Sequence, residues 1–228
     1  MTWSKNVLEY HFGLNTDLPL PDNVEWLYPF SDPETQKCMR EFYTRYFSDS
    51  NSRVVLLGIN PGRFGAGVTG VPFTDPKKLE EECGVENTFD KRYELSSNFV
   101  YDFINALGGP AQFYSSFYIT SICPLGFLKD GKNYNYYDSK ALEKAVMPMI
   151  LDNMKVHLAF GANPDIAFSM GKGKNFKFLK ELNDEHGFFK KVQPLPHPRW
   201  VMQYRLKRKQ EFVDEYVNAL APYLASTE

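Results

Sequence analysis

The chain contains few of the residues that build metal and redox centres. Its 228 residues include three cysteines and four histidines. Cys38, Cys83 and Cys123 lie far apart in the sequence, and no CxxC pair is present. Zinc sites and iron–sulfur clusters need several such ligands at short spacing. We therefore expect three buried, reduced thiols, no metal and no other cofactor.

Long apolar runs and a targeting signal are also missing. No stretch approaches the roughly 20 apolar residues that span a bilayer, and the first residues lack a basic segment followed by an apolar one. The sequence therefore predicts a cytosolic protein without a membrane segment. Its hydrophobic content of 43% is sufficient for a single domain over residues 1–228.

Several familiar catalytic motifs are absent or incomplete. Gly65–Gly70 matches the dinucleotide pattern GxGxxG, but that pattern should follow a strand directly and open a helix. Here a loop separates it from the nearest strand pattern, and Val71–Phe73 follows it. The chain also lacks a phosphate-binding GK[ST] ending, a GxSxG serine and an acidic metal cluster. A nucleotide-using enzyme therefore stays only as an alternative.

The stretch Val54–Asp75 is the most informative part of the sequence. It begins within the apolar run Arg53–Gly58, which is typical of a strand buried on both faces of a parallel sheet. A long glycine-rich loop follows that run. Open α/β sheets bind ligands at the carboxyl ends of their strands. We therefore expect the functional site here, among the side chains of Asn60, Arg63, Phe64, Thr69, Phe73, Thr74 and Asp75.

Helix and strand patterns alternate along the rest of the chain. Strands separated by helices predict an α/β fold of three layers, in which helices cover both faces of a central, mostly parallel, four-stranded sheet. Residues 1–32 are interpreted as a covering arm of short helices or turns, and residues 129–138 as a polar loop. The strands after the first are predicted at 117–122, 156–160 and 188–195. Helices are predicted at 33–47, 75–83, 98–107, 139–154, 176–186 and 202–224, with another beginning near Asn163 and Pro164.

The histidines are few enough to be considered one by one. His157 falls within a predicted strand and is interpreted as a packed core residue, whereas His11 and His186 are interpreted as surface or cap residues. His197 lies between two prolines at the end of a predicted strand. It should therefore lie at the same sheet edge as Asn60, where an imidazole would face an amide.

Basic residues concentrate in one part of the chain. The net charge is −2, but residues 171–209 contain eleven Lys or Arg against three Asp or Glu. A basic segment on an otherwise acidic chain fits a surface that faces phosphate, although a solvated lysine-rich helix would give the same pattern.

Two longer motifs resemble one enzyme family. The segment Leu57–Phe73, LGINPGRFGAGVTGVPF, resembles the first motif of the single-strand-selective monofunctional (SMUG-type) uracil-DNA glycosylases, GMNPGPFGMAQTGVPFG. His197–Arg199 resembles the second family motif, HPSPRN, and Ser121–Leu125 resembles NxCPL. The resemblance runs from about residue 40 to the C-terminus and indicates a bacterial SMUG-like branch, and thus the bacterial cytosol.

The resemblance implies roles for matching residues. Asn60 would orient the hydrolytic water, and His197 would hydrogen-bond the base oxygen and stabilise the departing anion. Phe73 would stack on the flipped base, and Gly62 would leave room for bulky bases. Ile59 and Phe64 would complete the base-binding wall with Ser121. The segment after His197 would contact DNA and fill the space that the flipped nucleotide leaves, through Arg199, Trp200, Met202, Arg205, Lys207 and Arg208.

Two positions depart from the family pattern. Ser121 replaces the asparagine that reads the edge of uracil, and a hydroxyl offers less than the paired donor and acceptor of an amide. A deaminated purine, xanthine or hypoxanthine, therefore becomes a plausible substrate beside uracil and 5-substituted uracil. The segment Trp200–Tyr204 is bulkier than the family wedge, and the basic run Arg205–Lys209 follows it at once.

The leading hypothesis is a metal-independent, monomeric, monofunctional DNA glycosylase that flips and excises uracil or related deaminated bases in base excision repair. No lysine in the two motifs is placed for a Schiff base, so no lyase step is expected. A non-catalytic DNA-binding protein on the same fold is the main alternative.

Overall fold

The computed structural model describes residues 1–225, so the last three residues of the domain predicted over 1–228 lie outside the described part. An N-terminal half and a C-terminal half each contribute two strands to one central sheet. The N-terminal half contains α1 (Trp3–Gly13), β1 (Val24–Leu27), α2 (Pro33–Tyr46), β2 (Arg53–Gly58), α3 (Ala66–Thr69), α4 (Pro76–Glu81), α5 (Leu95–Ala106), α6 (Gly109–Ser116) and β3 (Phe117–Ser121).

The C-terminal half begins with a β-hairpin, after which helices and strands alternate along the chain. Its elements are β4 (Gly126–Lys129), β5 (Lys132–Tyr134), α7 (Lys140–Phe160), β6 (Ala162–Met170), α8 (Lys174–His186), β7 (Lys191–Leu195), α9 (Pro198–Tyr204) and α10 (Lys209–Leu220), with short 3-10 turns at Leu206–Arg208 and Ala221–Tyr223. None of the helices in the described range is both long and apolar enough to cross a bilayer.

The central sheet is parallel and has the strand order β3-β2-β6-β7. All six residues of β2 and all five of β3 are buried, as expected for strands covered by helices on both faces. The predicted three-layer α/β fold with a parallel four-stranded sheet is confirmed. A second, antiparallel sheet of order β1-β4-β5 was not predicted.

The third strand of the central sheet was predicted at the wrong place. Residues 156–160 form the last turns of α7, and the following segment, predicted as a helix after Asn163 and Pro164, is strand β6. Gly161 ends α7 in the left-handed region, at φ 111°. Pro164 lies where the β2–β6 register shifts, so the strand accommodates it at an irregularity.

Three other predictions needed revision. Residues 1–32 contain the buried helix α1, whose Trp3 is fully covered, and strand β1 of the second sheet. The polar segment 129–138 contains the β4–β5 turn, in which Asp130 and Gly131 both have positive φ values. The predicted helix 202–224 is interrupted at Arg205, which separates α9 from the 3-10 turn and α10.

Two of the four histidines, His11 and His157, and all three cysteines are buried. His157 is buried as predicted, although on α7 rather than on a strand, and its Nε2 lies 3.2 Å from the Thr120 hydroxyl. His11 was interpreted as a surface or cap residue; it lies in the last turn of α1 and is 5% exposed, because α1 packs against the core. All three cysteines are buried thiols, as predicted.

Candidate active site

The carboxyl ends of the four parallel strands meet along one edge of the sheet. Gly58 pairs with Ser121, and Met170 pairs with Leu195, so the segments that follow each strand emerge side by side. They enclose a cavity of about 330 Å³, within the size range of small-ligand sites. The cavity is lined by Ile59, Asn60, Pro61, Gly62, Ala66, Pro72, Phe73, Glu94, Ser96, Ser121, Asn133, Asn135, His197 and Arg199.

The amide of Asn60 is held in a fixed orientation by the end of the β4–β5 hairpin. Its Oδ1 accepts a hydrogen bond from the backbone N–H of Tyr136 at 3.2 Å. Its Nδ2 donates to the carbonyl of Tyr134 at 3.3 Å. Because both ends of the amide are used, the side chain cannot rotate freely, and a group that Asn60 holds in the cavity would be positioned accurately.

The same hairpin supports the glycine-rich loop. The Asn133 side-chain oxygen accepts from the backbone N–H of Arg63 at 3.1 Å. The backbone of Gly126 passes so close to the Pro61 carbonyl that a Cβ at position 126 would overlap it. Only glycine permits this approach, and it fixes the Pro61 turn against the hairpin.

Phe73 forms one wall of the cavity from an unusual backbone conformation. Its φ is 52°, in the left-handed region that a bulky residue rarely adopts. The neighbouring Thr74 holds that turn, because its hydroxyl lies 2.9 Å from the Tyr101 hydroxyl and its carbonyl accepts from Thr69 Oγ1 at 2.7 Å. The ring of Phe73 lies 6.3 Å from the ring of His197, so the two rings face the cavity from adjoining sides.

His197 caps the N-terminus of α9 and lines the cavity with its ring. Its Nδ1 accepts a hydrogen bond from the backbone N–H of Arg199 at 3.2 Å. Burial, with a smaller contribution from the Arg199 charge, lowers the pKa of His197 to about 4. The imidazole is therefore neutral near pH 7, and because Nδ1 accepts, the proton of the neutral ring is on Nε2.

Ser121 lies at the end of β3, where it is 7% exposed and lines the cavity. The backbone at this point is held by α7, because Asn153 Nδ2 donates to the carbonyls of Ser121 and Ile122 at 2.9 and 3.1 Å. The sheet edge and the helix behind it therefore fix the position of the Ser121 hydroxyl together.

Four polar side chains of the cavity were not predicted from the sequence. Glu94 and Ser96 lie at the start of α5, and Asn133 and Asn135 lie on or beside β5. The predicted helix began only at residue 98, which hid the position of Glu94 at the helix N-terminus. The asparagines were hidden because residues 129–138 were interpreted only as a polar loop.

Several residues predicted for the site lie outside the cavity wall. Thr69, Thr74 and Asp75 are fully buried and do not line the cavity, and neither does Arg63. Phe64 is 37% exposed, stacks beneath the Arg63 guanidinium and is not part of the cavity wall. Met202 is half-buried and packs against the core, because it faces inward on α9. Ile59, Gly62, Phe73 and Ser121 do line the cavity.

A second cavity, of about 640 Å³, adjoins the first and shares Ile59, His197 and Arg199 with it. Its walls combine aromatic and basic side chains, namely Tyr137, Lys172, Lys174, Trp200, Tyr204 and Phe212. Arg205, Lys207 and Arg208 are exposed on the segment that follows α9. The predicted basic surface is therefore next to the cavity that contains Asn60 and His197.

Residues 1–225 contain no cluster of three His, Cys, Asp or Glu side chains placed to hold a metal ion. The donors that line the cavity are amides, hydroxyls, one imidazole, one guanidinium and one carboxyl group. Such a set suits an organic ligand with carbonyl and N–H groups.

The model of the Uracil DNA glycosylase superfamily matches residues 44–221. The chain belongs to this superfamily. Its structure superimposes with a TM-score of 0.94 on the crystal structure of wild-type Pedobacter heparinus SMUG2, at 44% sequence identity over 97% of this chain and 98% of that one.

Mammalian relatives are more distant. The chain is 28% identical over 170 residues to the single-strand selective monofunctional uracil-DNA glycosylases of Rattus norvegicus and Mus musculus. These alignments cover 65% of this chain and 60% of each mammalian protein. The chain therefore spans well under two thirds of the length of these curated relatives.

Proposed function

We propose that this member of the uracil DNA glycosylase superfamily is a monofunctional DNA glycosylase, which hydrolyses the bond between deoxyribose and uracil or a related deaminated base. The observation that carries the proposal is the pairing, in one cavity, of a fixed Asn60 amide with a neutral His197 ring whose proton is on Nε2. The superfamily match and the similarity to proteins named as uracil-DNA glycosylases support the same activity.

His197 would stabilise the leaving base. Breaking the glycosidic bond leaves negative charge on the base while the sugar becomes oxocarbenium-like. A neutral imidazole can donate its Nε2–H to the base oxygen on which that charge grows, with no need to lose a proton first. The low pKa of His197 keeps the ring in this form throughout the neutral range.

Asn60 would position the attacking water. An amide cannot accept a proton as a carboxylate does, so its contribution is orientation of the water toward the sugar carbon. The contacts of Asn60 with the backbone of Tyr134 and Tyr136 hold the amide for this purpose. Phe73 would stack on the base and Ser121 would bind its polar edge.

The cavity should accept bases larger than uracil. Gly62 has no side chain, and a Cβ placed there would be 3.4 Å from Asn133 Nδ2 and 4.0 Å from Glu94 Oε1. The cavity is therefore open on the side of Gly62. Xanthine, hypoxanthine and 5-substituted uracils are therefore included in the proposed substrate class.

DNA would lie across the adjoining basic surface. The target nucleotide must leave the helical stack to reach the cavity. Trp200 is 39% exposed beside the second cavity, with Arg205 at 4.8 Å over its ring, so it is better placed than Met202 to fill the vacated space. Arg199, Arg205, Lys207 and Arg208 would contact phosphates.

The test is alkali-revealed strand cleavage of oligonucleotides that carry uracil, 5-hydroxymethyluracil, xanthine or hypoxanthine, each as single and double strands. We expect abasic sites on at least one substrate, no strand cleavage before alkali, and loss of product in Asn60→Ala and His197→Ala. DNA binding without abasic sites on any substrate would contradict the proposal and favour the non-catalytic DNA-binding alternative.

A further inference from the structure

Glu94 is the one carboxyl group among the described residues that line the first cavity. Its backbone is fixed on both sides, since its N–H donates to Asp75 Oδ2 at 2.9 Å and its carbonyl accepts from the Ser97 N–H at 3.1 Å. Although Glu94 is the N-cap residue of α5, its side chain makes no capping hydrogen bond. The carboxyl group instead reaches into the cavity.

The glycine-rich loop leaves space for this carboxyl group. A Cβ at Gly65 would overlap Glu94 Oε2, and a Cβ at Gly62 would lie 4.0 Å from Oε1. The loop between Asn60 and α3 therefore passes directly over the two carboxyl oxygens. This close approach holds the group at the cavity wall between Gly62 and Ser96.

The surroundings of Glu94 favour its protonated form. Burial is the main cause, and the nearby Asp75 carboxylate adds to it, so that the pKa of Glu94 is raised to about 7. Arg199 on α9 and the Ser96 hydroxyl oppose the shift. His197 also lines the cavity but is neutral near pH 7, so among the described residues of the cavity wall Arg199 carries the one positive charge.

We propose that Glu94 is a specificity-determining residue, which acts as a neutral carboxylic acid and reads the edge of the flipped base through one donated and one accepted hydrogen bond. The proposal rests on the proposed function and extends it. Its O–H would donate to a carbonyl or ring nitrogen of the base, and its carbonyl oxygen would accept from the adjacent N–H.

The chemistry of the expected base indicates what such a group would contribute. Deaminated bases present an N–H beside a C=O, and an amide or a protonated carboxyl group offers the matching pair. Ser121 provides only a hydroxyl at the end of β3. A neutral Glu94 supplies such a pair beside the Asn133 and Asn135 amides that also line the cavity, and its donated hydrogen bond strengthens as negative charge grows on the leaving base. An ionised Glu94 would repel that charge.

The test is single-turnover base excision from the most reactive oligonucleotide of the panel, measured from about pH 6 to about pH 8.5, the range in which a pKa near 7 is observable. The variants are Glu94→Gln, which keeps a neutral donor and acceptor, and Glu94→Ala, which removes both. Glu41→Gln, on the exposed face of α2, is the matched control for the same chemical change.

Wild type should be fastest at the acidic end, because the protonated form is the active one, and should slow by about tenfold per pH unit above the pKa of Glu94. Glu94→Gln should match wild type at about pH 6 within about threefold and lose the alkaline decline. Glu94→Ala should be slower by about 10–100-fold at about pH 6, from the loss of two hydrogen bonds. Glu41→Gln should follow wild type at every pH.

Three results would overturn the proposal. A wild-type rate that rises with pH, together with inactivity of Glu94→Gln, would assign Glu94 an ionised role instead. Equal rates and equal pH profiles in all variants would show that the carboxyl group does not contact the base. Absence of excision by wild type at every pH would remove the proposed function itself, and the inference with it, which distinguishes this failure from the other two.

Discussion

Gly58 is the last residue of β2 and lies directly beneath the ring of Phe73. A Cβ at this position would be 2.8 Å from Phe73 Cε2 and 3.3 Å from the Thr120 carbonyl. Phe73 is already held at a positive φ by the Thr74 hydrogen bonds. The ring therefore has little freedom to move away without disturbing its turn.

We predict that Gly58→Ala displaces the Phe73 ring and slows base excision by about tenfold, because stacking on the base depends on the ring position. Overpacking of this kind should also lower the free energy of unfolding by about 1–3 kcal/mol. Gly13→Ala is the control, since a Cβ at Gly13 has no neighbour within 4 Å. Single-turnover rates and urea denaturation of both variants measure the effect. Unchanged excision by Gly58→Ala would show that Phe73 does not need this support.

The individual site residues were predictable to different degrees. Asn60, His197 and Phe73 were found because they belong to motifs whose residues are contiguous in the sequence, and they line one cavity. Glu94 and Asn135 were missed because only the tertiary fold places them there. Phe64 was assigned to the site by its neighbours in the sequence, but its side chain lies outside the cavity wall.

At the scale of elements, sequence patterns with one clear interpretation were predicted correctly, and ambiguous patterns were not. The strand Arg53–Gly58 and the helix Pro33–Tyr46 were predicted because a fully apolar run and a capped amphipathic pattern have few other interpretations. Between residues 156 and 170 both predictions were wrong: the predicted strand is the end of a helix, and the segment predicted as a helix is a strand. Val156, Leu158 and Phe160 mimic a short strand, yet they complete the long helix α7, and tertiary pairing with β2 makes the following segment a strand despite Pro164.

Helix α7, of which only residues 156–160 were misassigned, supports the site through Asn153, which is fully buried and donates to the carbonyls of Ser121 and Ile122. Asn153→Leu would leave both carbonyls without this donor, and an unsatisfied buried polar group costs about 1–3 kcal/mol. We predict a loss of unfolding free energy of that size and a weaker response to the identity of the base, because Ser121 would lose its fixed position.

Tyr10→Phe is the matched control for Asn153→Leu. Tyr10 donates to Asn153 Oδ1 at 2.9 Å and has no contact with the Ser121 carbonyl. Its loss leaves the buried Asn153 Oδ1 without a donor and should reduce stability by about 1–3 kcal/mol, as in Asn153→Leu, without altering base preference. Urea denaturation and the ratio of excision rates on uracil and xanthine substrates measure both effects. Equal stability of Asn153→Leu and wild type would contradict the assigned role of α7.

At the scale of the molecule, the parallel sheet concentrates basic side chains at its carboxyl edge, although the whole chain has a net charge of −2. Lys172 pairs with Glu215 and Arg208 pairs with Glu211, both at 2.6 Å. Lys174 instead lies 5.7 Å from the ring centroid of Tyr137 beside the second cavity. The basic side chains at this edge therefore differ in how much of their charge is available to bind a phosphate.

We predict that Lys174→Gln reduces the slope of log affinity against log salt for DNA by about 0.7–0.9, the value for one lost phosphate contact. Arg208→Gln should reduce the slope less, because Glu211 already neutralises part of the Arg208 charge. Lys155→Gln is the control, since Lys155 is exposed on α7 near Gly161, toward the opposite edge of the sheet. A control variant that changes the slope as much as Lys174→Gln would place the DNA elsewhere.

The most direct test of the whole account is single-turnover excision of the most reactive base of the panel from its oligonucleotide, with mass spectrometry of both products for wild type, Asn60→Ala and His197→Ala. The account predicts that wild type releases the free base and leaves an intact strand with one abasic sugar. Both variants should form this product at least about 100-fold more slowly, the cost of removing one electrostatic contact from such a site. Release of no free base from any oligonucleotide of the panel, strand cleavage by wild type or full activity of both variants would contradict the account.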